Sequence, residues 1–353
     1  MSTLDDPVLL GLDTSNMFGR IAEVGSELIG AWEGTVDLDL PARAHDTTSV
    51  VLTGMGGSAS AADYFATLCF GSSELPVSVV RGYSLPNFVS ARSLVVVSSY
   101  SGDTEEALSV YDDAWKRDAS IVVITHGGAL LERALADGVS THRISYDTAS
   151  PRAAIAHGLA PLLRVGDILG LCRTSDEDVR RAGELHQRII EREFRPGRPK
   201  SANGAKRLAT ALHGRIAIVV GAERLAPVAI RFKNQLAENG KALGSAELLP
   251  ELAHNLVVGL ETGNVSGQAL TLVTLESELY EVRTQRRFDA MAKLFERSGI
   301  PVQRIHIGGE TPLQQLLLGT AWGDYTSCYL GLLNGVDPTP IPQIDELKAI
   351  LAG

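Results

Sequence analysis

The segment LVVVSSYSGDTEE (94–106) decides the fold class of this chain. A run of aliphatic residues ends in a group of small hydroxyl residues, and a helix-like segment with two glutamates follows. A buried strand would deliver Ser99, Ser101 and Thr104 to a helix start, where free backbone N–H groups and the positive end of the helix dipole meet. The segment therefore predicts an α/β sheet with an anion site at a strand-to-helix turn.

The residue types in this segment favour a phosphate monoester as the anion. The lysine-containing motif GxxxxGK[ST] is absent from the sequence, so a nucleoside triphosphate is not expected. A structural alternative is that Ser101 or Thr104 only caps a helix, with Glu105 and Glu106 complementing its dipole. The segment alone leaves both interpretations open.

Length and composition indicate a two-domain globular protein. The chain has 353 residues, of which 44% are hydrophobic and 21% are charged, and this composition allows a large buried core. The formal net charge of −10 argues against a nucleic-acid surface. Cys69, Cys172 and Cys328 lie far apart in apolar surroundings without metal-ligand spacing, which predicts core residues in a reducing compartment.

Targeting and membrane segments are not recognised in the sequence. The residues MSTLDDPVLL at the N-terminus lack the basic and apolar regions of a signal peptide. The sequence contains no run of about 18 apolar residues that would predict a membrane span. The expected location is therefore cytoplasmic.

Strand-like and helix-like segments alternate along the first part of the chain. Continuous runs of Val, Ile and Leu predict strands buried on both faces, as in a parallel sheet covered by helices. Ligands bind at the carboxyl ends of such strands, so TGMGGSAS (53–60) and SSYSGDT (98–104) should open on the same edge. The predicted strands are 47–54, 76–82, 94–99, 121–125 and 141–146, and the predicted helices are 58–70, 104–118 and 128–138.

The segment RPGRPKSANG (195–204) is the best candidate for a linker, because Pro and Gly interrupt regular structure there. A long helical stretch from Pro151 to about Phe194 precedes it. The predicted domains are therefore residues 1–195 and residues 205–353.

The alternation of strands and helices restarts after this linker, which favours a duplicated architecture. The apolar segment 312–335 is predicted as one long helix that either forms an oligomer interface or fills the core between two domains. The other elements predicted here are strands at 214–221, 269–277 and 301–309, and helices at 226–239 and 286–299.

Two short motifs could place backbone and charge beside an anion. Gly56 and Gly57 allow a close approach of backbone to a ligand, and Ser58 can cap the next helix, although most such turns are only tight connections. Arg152 follows Pro151 at a helix start. It could reach an anion over the sheet edge, or it could be an ordinary solvated arginine.

A carboxylate and an imidazole in the second half form a candidate acid/base pair. Glu238 stands at a Glu-Asn-Gly helix stop, and His254 lies outside regular apolar periodicity. Held near a sugar phosphate, such a pair could transfer protons. The alternative is a helix-terminal glutamate and a structural loop histidine.

The motifs GGS, SYSGDTEE, PRA, ENxK and PExxHN, in this order, resemble the bifunctional phosphoglucose/phosphomannose isomerase family, which is built from sugar isomerase (SIS) domains. The resemblance runs from LDTSNMFGRI (12–21) to GVDPTPIPQIDELKAIL (335–351). It implies an α/β fold of two SIS-type three-layer α/β/α domains with mainly parallel sheets.

The resemblance also implies a reaction and a role for each candidate residue. Glucose 6-phosphate, mannose 6-phosphate or both would interconvert with fructose 6-phosphate through a cis-enediol, without a metal or another cofactor. The enzyme would be a homodimer in which His254 comes from the partner subunit. By this resemblance, the sugar lies beside Gly56, Gly57 and Ser58, and its phosphate binds to Ser99, Ser101 and Thr104. The resemblance places Arg152 near the reacting carbons and makes Glu238 the base. It also implies that His254 opens the sugar ring and that Lys348 reaches back to the active site.

Two other functions compete with this interpretation. A non-catalytic phosphosugar-binding or regulatory SIS protein would need none of Glu238, His254 and Lys348, so their joint presence favours an enzyme. An amino-sugar isomerase would normally carry a glutamine-hydrolysing domain with an N-terminal cysteine, and this chain is expected to lack one.

Overall fold

The computed structural model describes residues 4–146, 150–260 and 269–351. The chain divides into two compact units. One unit comprises Glu23–Leu185, and the other combines Met1–Ala22 with His186–Gly353. We call them the N-unit and the C-unit.

The N-unit contains five strands, β1 (Ser49–Thr53), β2 (Val77–Val80), β3 (Ser93–Ser99), β4 (Ser120–Thr125) and β5 (Ser140–Arg143). They form one sheet in the order β2-β1-β3-β4-β5, and each neighbouring pair is parallel. All residues of the three central strands are buried. Helices cover both faces, as the continuous aliphatic runs predicted.

Two groups of helices cover this sheet. Val51, Val95 and Val123 point to one face, where they pack with Ala107 of one helix and Leu130 of the next. The helices of the N-unit are α3 (Val24–Glu33), α4 (Gly56–Cys69), α5 (Glu105–Lys116), α6 (Gly128–Ala136), α7 (Ile155–Ile168) and α8 (Asp176–Ile189), the last of which extends into the C-unit. The second group comprises α3, α4 and α7: α7 packs against both other helices, and α4 contacts strands β1, β2 and β3.

The single helical stretch predicted from Pro151 to about Phe194 is wrong. The structure has a 3₁₀ turn at Pro151–Ala153, the separate helices α7 and α8, and a π-helical turn at Ile190–Phe194. Gly170, with φ +68°, ends α7 because glycine adopts the left-handed conformation that closes many helices.

The strands of the C-unit are β6 (Ile216–Ala222), β7 (Gly244–Leu249), β8 (Leu270–Glu276) and β9 (Val302–His306). They form a parallel sheet in the order β7-β6-β8-β9. The helices are α1 (Pro7–Leu10), α2 (Met17–Ala22), α9 (Gly204–Leu212), α10 (Ala226–Glu238), α11 (Val282–Arg297), α12 (Pro312–Leu333) and α13 (Pro342–Leu351). Strand β7 and helix α9 were missed by the sequence interpretation.

Helix α12 is the core of the C-unit and packs against α2, α9 and α10. It therefore fills the interior of its own unit, an arrangement that neither sequence alternative described. Gly319 and Gly323 lie so close to Val228 and Phe232 of α10 that a Cβ at either glycine would approach them to 2.7 and 3.1 Å. These glycines allow the close approach of the two helices.

The N-terminal residues belong to the C-unit, so the boundary between units differs from the predicted linker. Phe18 packs on Tyr329 with ring centroids 4.7 Å apart, and the hydroxyls of Thr14 and Ser15 donate to Asp337 at 2.6 and 2.9 Å. The boundary at residues 185 and 186 lies within α8. As limits of independently folding domains, 1–195 and 205–353 stay a prediction.

Candidate active site

The segment 99–104, which we call the serine loop, connects β3 to α5. Its hydroxyls form a local network: Ser99 Oγ lies 2.9 Å from Thr104 Oγ1 and accepts from the Gly102 N–H at 3.1 Å. Ser101 Oγ accepts from the Asp103 N–H at 3.3 Å, and the Ser101 side chain is exposed. Thr104 stands at the N-cap position of α5, but its hydroxyl pairs with Ser99. The loop therefore presents hydroxyls at a helix start, where backbone N–H groups lack intrahelical partners.

A second segment, residues 126–130, follows β4 and includes the first residues of α6. We call it the second loop, and its contacts hold the serine loop in shape. The Leu130 N–H donates to Gly102 O at 2.9 Å, and the Ala129 N–H donates to Asp103 Oδ1 at 2.9 Å. Gly102 has φ +77°, and a Cβ there would lie 1.7 Å from Gly127 O. Sequence reasoning missed Asp103 and this second loop, although the Gly127-Gly128 pair, one residue beyond the end of a predicted strand, was a usable signal.

The two other N-unit motifs lie next to each other. Helix α4 begins at Gly56, which has φ +52°. A Cβ at Gly57 would lie 3.1 Å from Pro151 O and 3.5 Å from Arg152 Cα. Arg152 is 5% exposed, so it is not the solvated arginine of the alternative interpretation.

Gly56 and the serine loop lie at the same edge of the sheet, as predicted. In the parallel pairing of β1 and β3, Thr53 stands opposite Val97. A Cβ at Gly54 would lie 2.9 Å from Ser98 O. The N-unit thus brings together Gly56, Gly57 and Ser58 with the start of the serine loop, at the carboxyl ends of parallel strands where ligands bind in such sheets.

The remaining candidates, Glu238, His254 and Lys348, belong to the C-unit. Glu238 is the last residue of α10 and is half-buried. His254 is exposed in a 3₁₀ turn that follows the cis peptide bond Leu249–Pro250. Lys348 is exposed on α13. Within the C-unit these residues occupy a helix end, a turn and a terminal helix, and their joint action with the N-unit residues is a proposal.

A partly buried polar cluster contacts the serine loop through Tyr100. The Tyr100 hydroxyl donates to Tyr146 O at 2.8 Å, and the Tyr146 ring stacks on His157 with centroids 4.3 Å apart. His157 Nε2 lies 4.0 Å from Glu27 Oε2. Burial raises the pKa of Glu27 to about 7, although the Tyr146 hydroxyl opposes the shift. Burial and then His142 lower the pKa of His157 to about 4. The imidazole is therefore neutral at neutral pH, and the pair is not an ion pair there.

Replacement of Glu27 by Gln should change the pH dependence of stability. The pKa of the Glu27 carboxyl is about 7 in the folded chain against an ordinary value of 4.5, so the folded state binds the proton more tightly. Wild-type stability then falls as the pH rises through this window, by up to about 1.4 kcal/mol per pH unit. The stability of Glu27→Gln relative to wild type should rise over the same window and level off above it, as measured by urea unfolding.

The matched control for this prediction is Glu33→Gln. Glu33 lies on the same helix, and its side chain is exposed. A rise that is as large for Glu33→Gln as for Glu27→Gln would show that the burial of Glu27 is not its cause. A pH-independent stability difference between Glu27→Gln and wild type would contradict the raised pKa.

A cavity of about 630 Å³ lies at the other edge of the N-unit sheet. Asp39, Ser120 and Ser140 are among its lining residues, and the two serines are the first residues of β4 and β5. It therefore lies at the amino ends of the strands, whereas the serine loop follows a carboxyl end. This cavity does not coincide with the candidate site.

Three further findings on the described residues concern metal ions, cysteines and membrane spans. Within 4–146, 150–260 and 269–351, no group of three or more His, Cys, Asp or Glu side chains is placed to hold a metal ion. Cys69, Cys172 and Cys328 are buried and free, as predicted for core residues. None of the helices in the described ranges combines the length and apolar character needed to cross a membrane.

Comparison with known proteins agrees with the fold. Residues 201–351 match the family model described as the bacterial phospho-glucose isomerase C-terminal SIS domain. Tagatose-6-phosphate ketose/aldose isomerase from Escherichia coli has a similar fold, with a TM-score of 0.70 and 15% identity, covering 92% of this chain and 95% of the other. The predicted SIS-type fold of mainly parallel sheets is confirmed.

Two curated relatives cover most of the chain. The bifunctional phosphoglucose/phosphomannose isomerase of Caldicellulosiruptor bescii is 34% identical over 337 residues, which are 95% of this chain and 99% of the relative. The enzyme of the same name from Aquifex aeolicus is 30% identical over 300 residues, which are 85% of this chain and 89% of the relative. The resemblance inferred from the ordered motifs is thereby confirmed, and the chain belongs to the bifunctional phosphoglucose/phosphomannose isomerase family of enzymes.

Proposed function

We propose that this chain is an aldose–ketose isomerase that interconverts glucose 6-phosphate, mannose 6-phosphate or both with fructose 6-phosphate. The observation that carries the proposal is the serine loop: the hydroxyls of Ser99, Ser101 and Thr104 gather at a strand-to-helix turn on the ligand-binding edge of a parallel sheet. The names of the curated relatives supply the substrate class.

The serine loop would bind the phosphate group and so leave the reacting carbons at the other end of the sugar. Gly56, Gly57 and Ser58 would lie along the sugar, since the N-unit places them beside the loop. Arg152 is buried next to Gly57, and its fixed cation would stabilise the negative charge that develops on the enediolate oxygen.

Proton transfer is assigned to a single carboxylate. Glu238 would remove the proton from C2 of the aldose, which gives a cis-enediol, and would return it to C1 to form the ketose. The hydroxyl proton of the enediol moves to the neighbouring oxygen, so no atom is gained or lost. Glucose and mannose phosphates differ only at C2 and yield the same enediol, which is why one site can serve both.

The remaining C-unit residues would complete the site. His254 would open the sugar ring from the partner subunit of a homodimer, and its exposure on a turn is compatible with a role at another subunit's surface. Lys348, exposed on α13, would reach back to the substrate. The proposal includes a cytoplasmic location, and the cis-enediol route needs neither a metal nor a redox cofactor.

A coupled assay with both aldose phosphates tests the proposal. Purified protein should convert fructose 6-phosphate to one or both of glucose 6-phosphate and mannose 6-phosphate. Direct binding of fructose 6-phosphate, measured by calorimetry, provides the second arm. Binding without turnover would contradict an isomerase and favour the phosphosugar-binding regulatory alternative, because the serine loop serves both functions equally.

A further inference from the structure

We propose that Lys241 is a positioning residue for the catalytic base, holding the end of α10 and hence the Glu238 carboxylate in place. This inference rests on the proposed function. Its structural basis is a set of polar contacts that fixes one face of α10 to α12 and then continues through Lys241 to the chain beyond α12.

The middle of α10 is fixed to α12 by a buried ion pair. Arg231 Nη2 donates to both carboxylate oxygens of Asp324, at 3.1 and 3.0 Å, and Gln235 Nε2 donates to Asp324 Oδ1 at 2.7 Å. All three side chains are buried. Such charge-assisted contacts have narrow geometric requirements, so they set the axial position of α10 relative to α12.

The same face continues to the helix end. Asn239 follows Arg231 and Gln235 at the i, i+4, i+8 spacing that places residues on one side of a helix. Its Nδ2 donates to Ser327 Oγ at 3.0 Å, and Asn334 Nδ2 donates to Gly240 O at 2.7 Å. Glu238 is about a quarter turn from this fixed face. Its side chain is half-buried, whereas Asn239 is fully buried.

Lys241 completes the arrangement at the point where α10 has ended. Its ammonium group donates to Glu238 O and, at 3.0 Å, to Pro338 O. The last carbonyls of a helix lack intrahelical donors, and a cation near them is favoured by the helix dipole. Lys241 thus binds the backbone of the proposed base directly and joins it to the segment between α12 and α13.

The backbone of Lys241 supports this role. Its φ of +50° lies in the left-handed region, which non-glycine residues rarely adopt. A glycine would take this conformation without strain and is the usual residue where helices end. Lysine occupies this position despite the conformational cost, and its side chain contacts Glu238 and Pro338.

The expected consequence is specific to proton transfer. A misplacement of a reacting group by about 1 Å can reduce a rate by about 10²-fold. Lys241 bonds to the main chain of Glu238, so its loss would let the carboxylate shift while the serine loop, which lies in the other unit, keeps its own contacts. The effect should appear in kcat and not in KM.

The test compares Lys241→Met, Lys241→Arg and the control Lys293→Met, whose lysine is exposed on α11. Lys241→Met should lower kcat by about tenfold or more and leave KM within about twofold of wild type. The kinetic isotope effect with glucose 6-phosphate deuterated at C2 should increase, because proton transfer becomes more rate-limiting. Lys241→Arg should recover most of the rate, and Lys293→Met should match wild type.

A further variant distinguishes a positioning role of Lys241 from a simple folding defect. Lys241→Gly removes the ammonium group but suits the positive φ, so it should be at least as stable as Lys241→Met while remaining slow. A stable Lys241→Gly with the wild-type kcat and isotope effect would overturn the inference, as would a loss confined to KM. An inactive wild type would instead overturn the proposed function, and the role of Lys241 would fall with it.

Discussion

Glu238→Gln should lower kcat for the isomerisation of fructose 6-phosphate by about 10²- to 10⁴-fold, the range that a positioned general base contributes. Gln has nearly the same shape as Glu but no basic oxygen, so the half-buried position at the end of α10 should be kept. Binding of fructose 6-phosphate should persist, because the proposed phosphate contacts lie on the serine loop. Coupled kinetics and calorimetry measure the two effects separately.

Solvent exchange gives an independent measurement of the same step. In D₂O, wild type should incorporate deuterium from solvent at the carbon that receives the proton, and Glu238→Gln should not. The control Glu296→Gln changes an exposed glutamate of α11 and should behave as wild type. Retention by Glu238→Gln of more than about one tenth of the wild-type kcat would exclude Glu238 as the base.

Gly102→Ala should raise KM for the sugar phosphate by about 10²-fold or more, since two or more hydrogen bonds to a charged group would be lost. The new Cβ would lie 1.7 Å from Gly127 O, at a φ of +77° that alanine adopts only with strain. The serine loop would have to move away from the second loop, and the Ser99–Thr104 pair would separate.

Gly138→Ala is the matched control for this substitution. Gly138 also has a positive φ, +66°, but a Cβ there would meet no atom within 4 Å. It should cost about 1 kcal/mol of stability from backbone strain and leave KM unchanged. Thermal unfolding and steady-state kinetics check both. An unchanged KM in Gly102→Ala would show that the shape of the serine loop does not determine substrate binding.

The elements that local sequence predicted best are those with strong periodicity. Strand β3 was predicted at 94–99 and is Ser93–Ser99, and α10 was predicted at 226–239 and is Ala226–Glu238. Strand β7, with the sequence GSAELL, was missed because it is a half-buried edge strand without an apolar run. Its extended form depends on pairing with β6, and such a partner cannot be read from local composition.

In the candidate site, too, local motifs were predictable from the sequence, whereas contacts between distant residues were not. The positions of Ser99, Ser101, Thr104, Glu238 and His254 were predicted from motifs, and a motif requires only neighbours in the sequence. Asp103 was not predicted, because its role is to accept a hydrogen bond from the N–H of Ala129, a residue 26 positions away in the sequence. Lys241 was seen only as part of ENxK, since its contact with Pro338 joins residues 97 positions apart.

The sequence by itself determined the alternation of buried strands and helices, the hydroxyl-rich turn after β3, and membership of the isomerase family. Hydrophobic periodicity and short motifs carry that information locally. The tertiary structure alone decided that residues 4–22 join the C-unit, that α12 fills the interior of that unit, and that Gly102 faces Gly127. These features depend on which distant surfaces fit together when the core packs, because close packing is a property of the assembled side chains and not of any one segment.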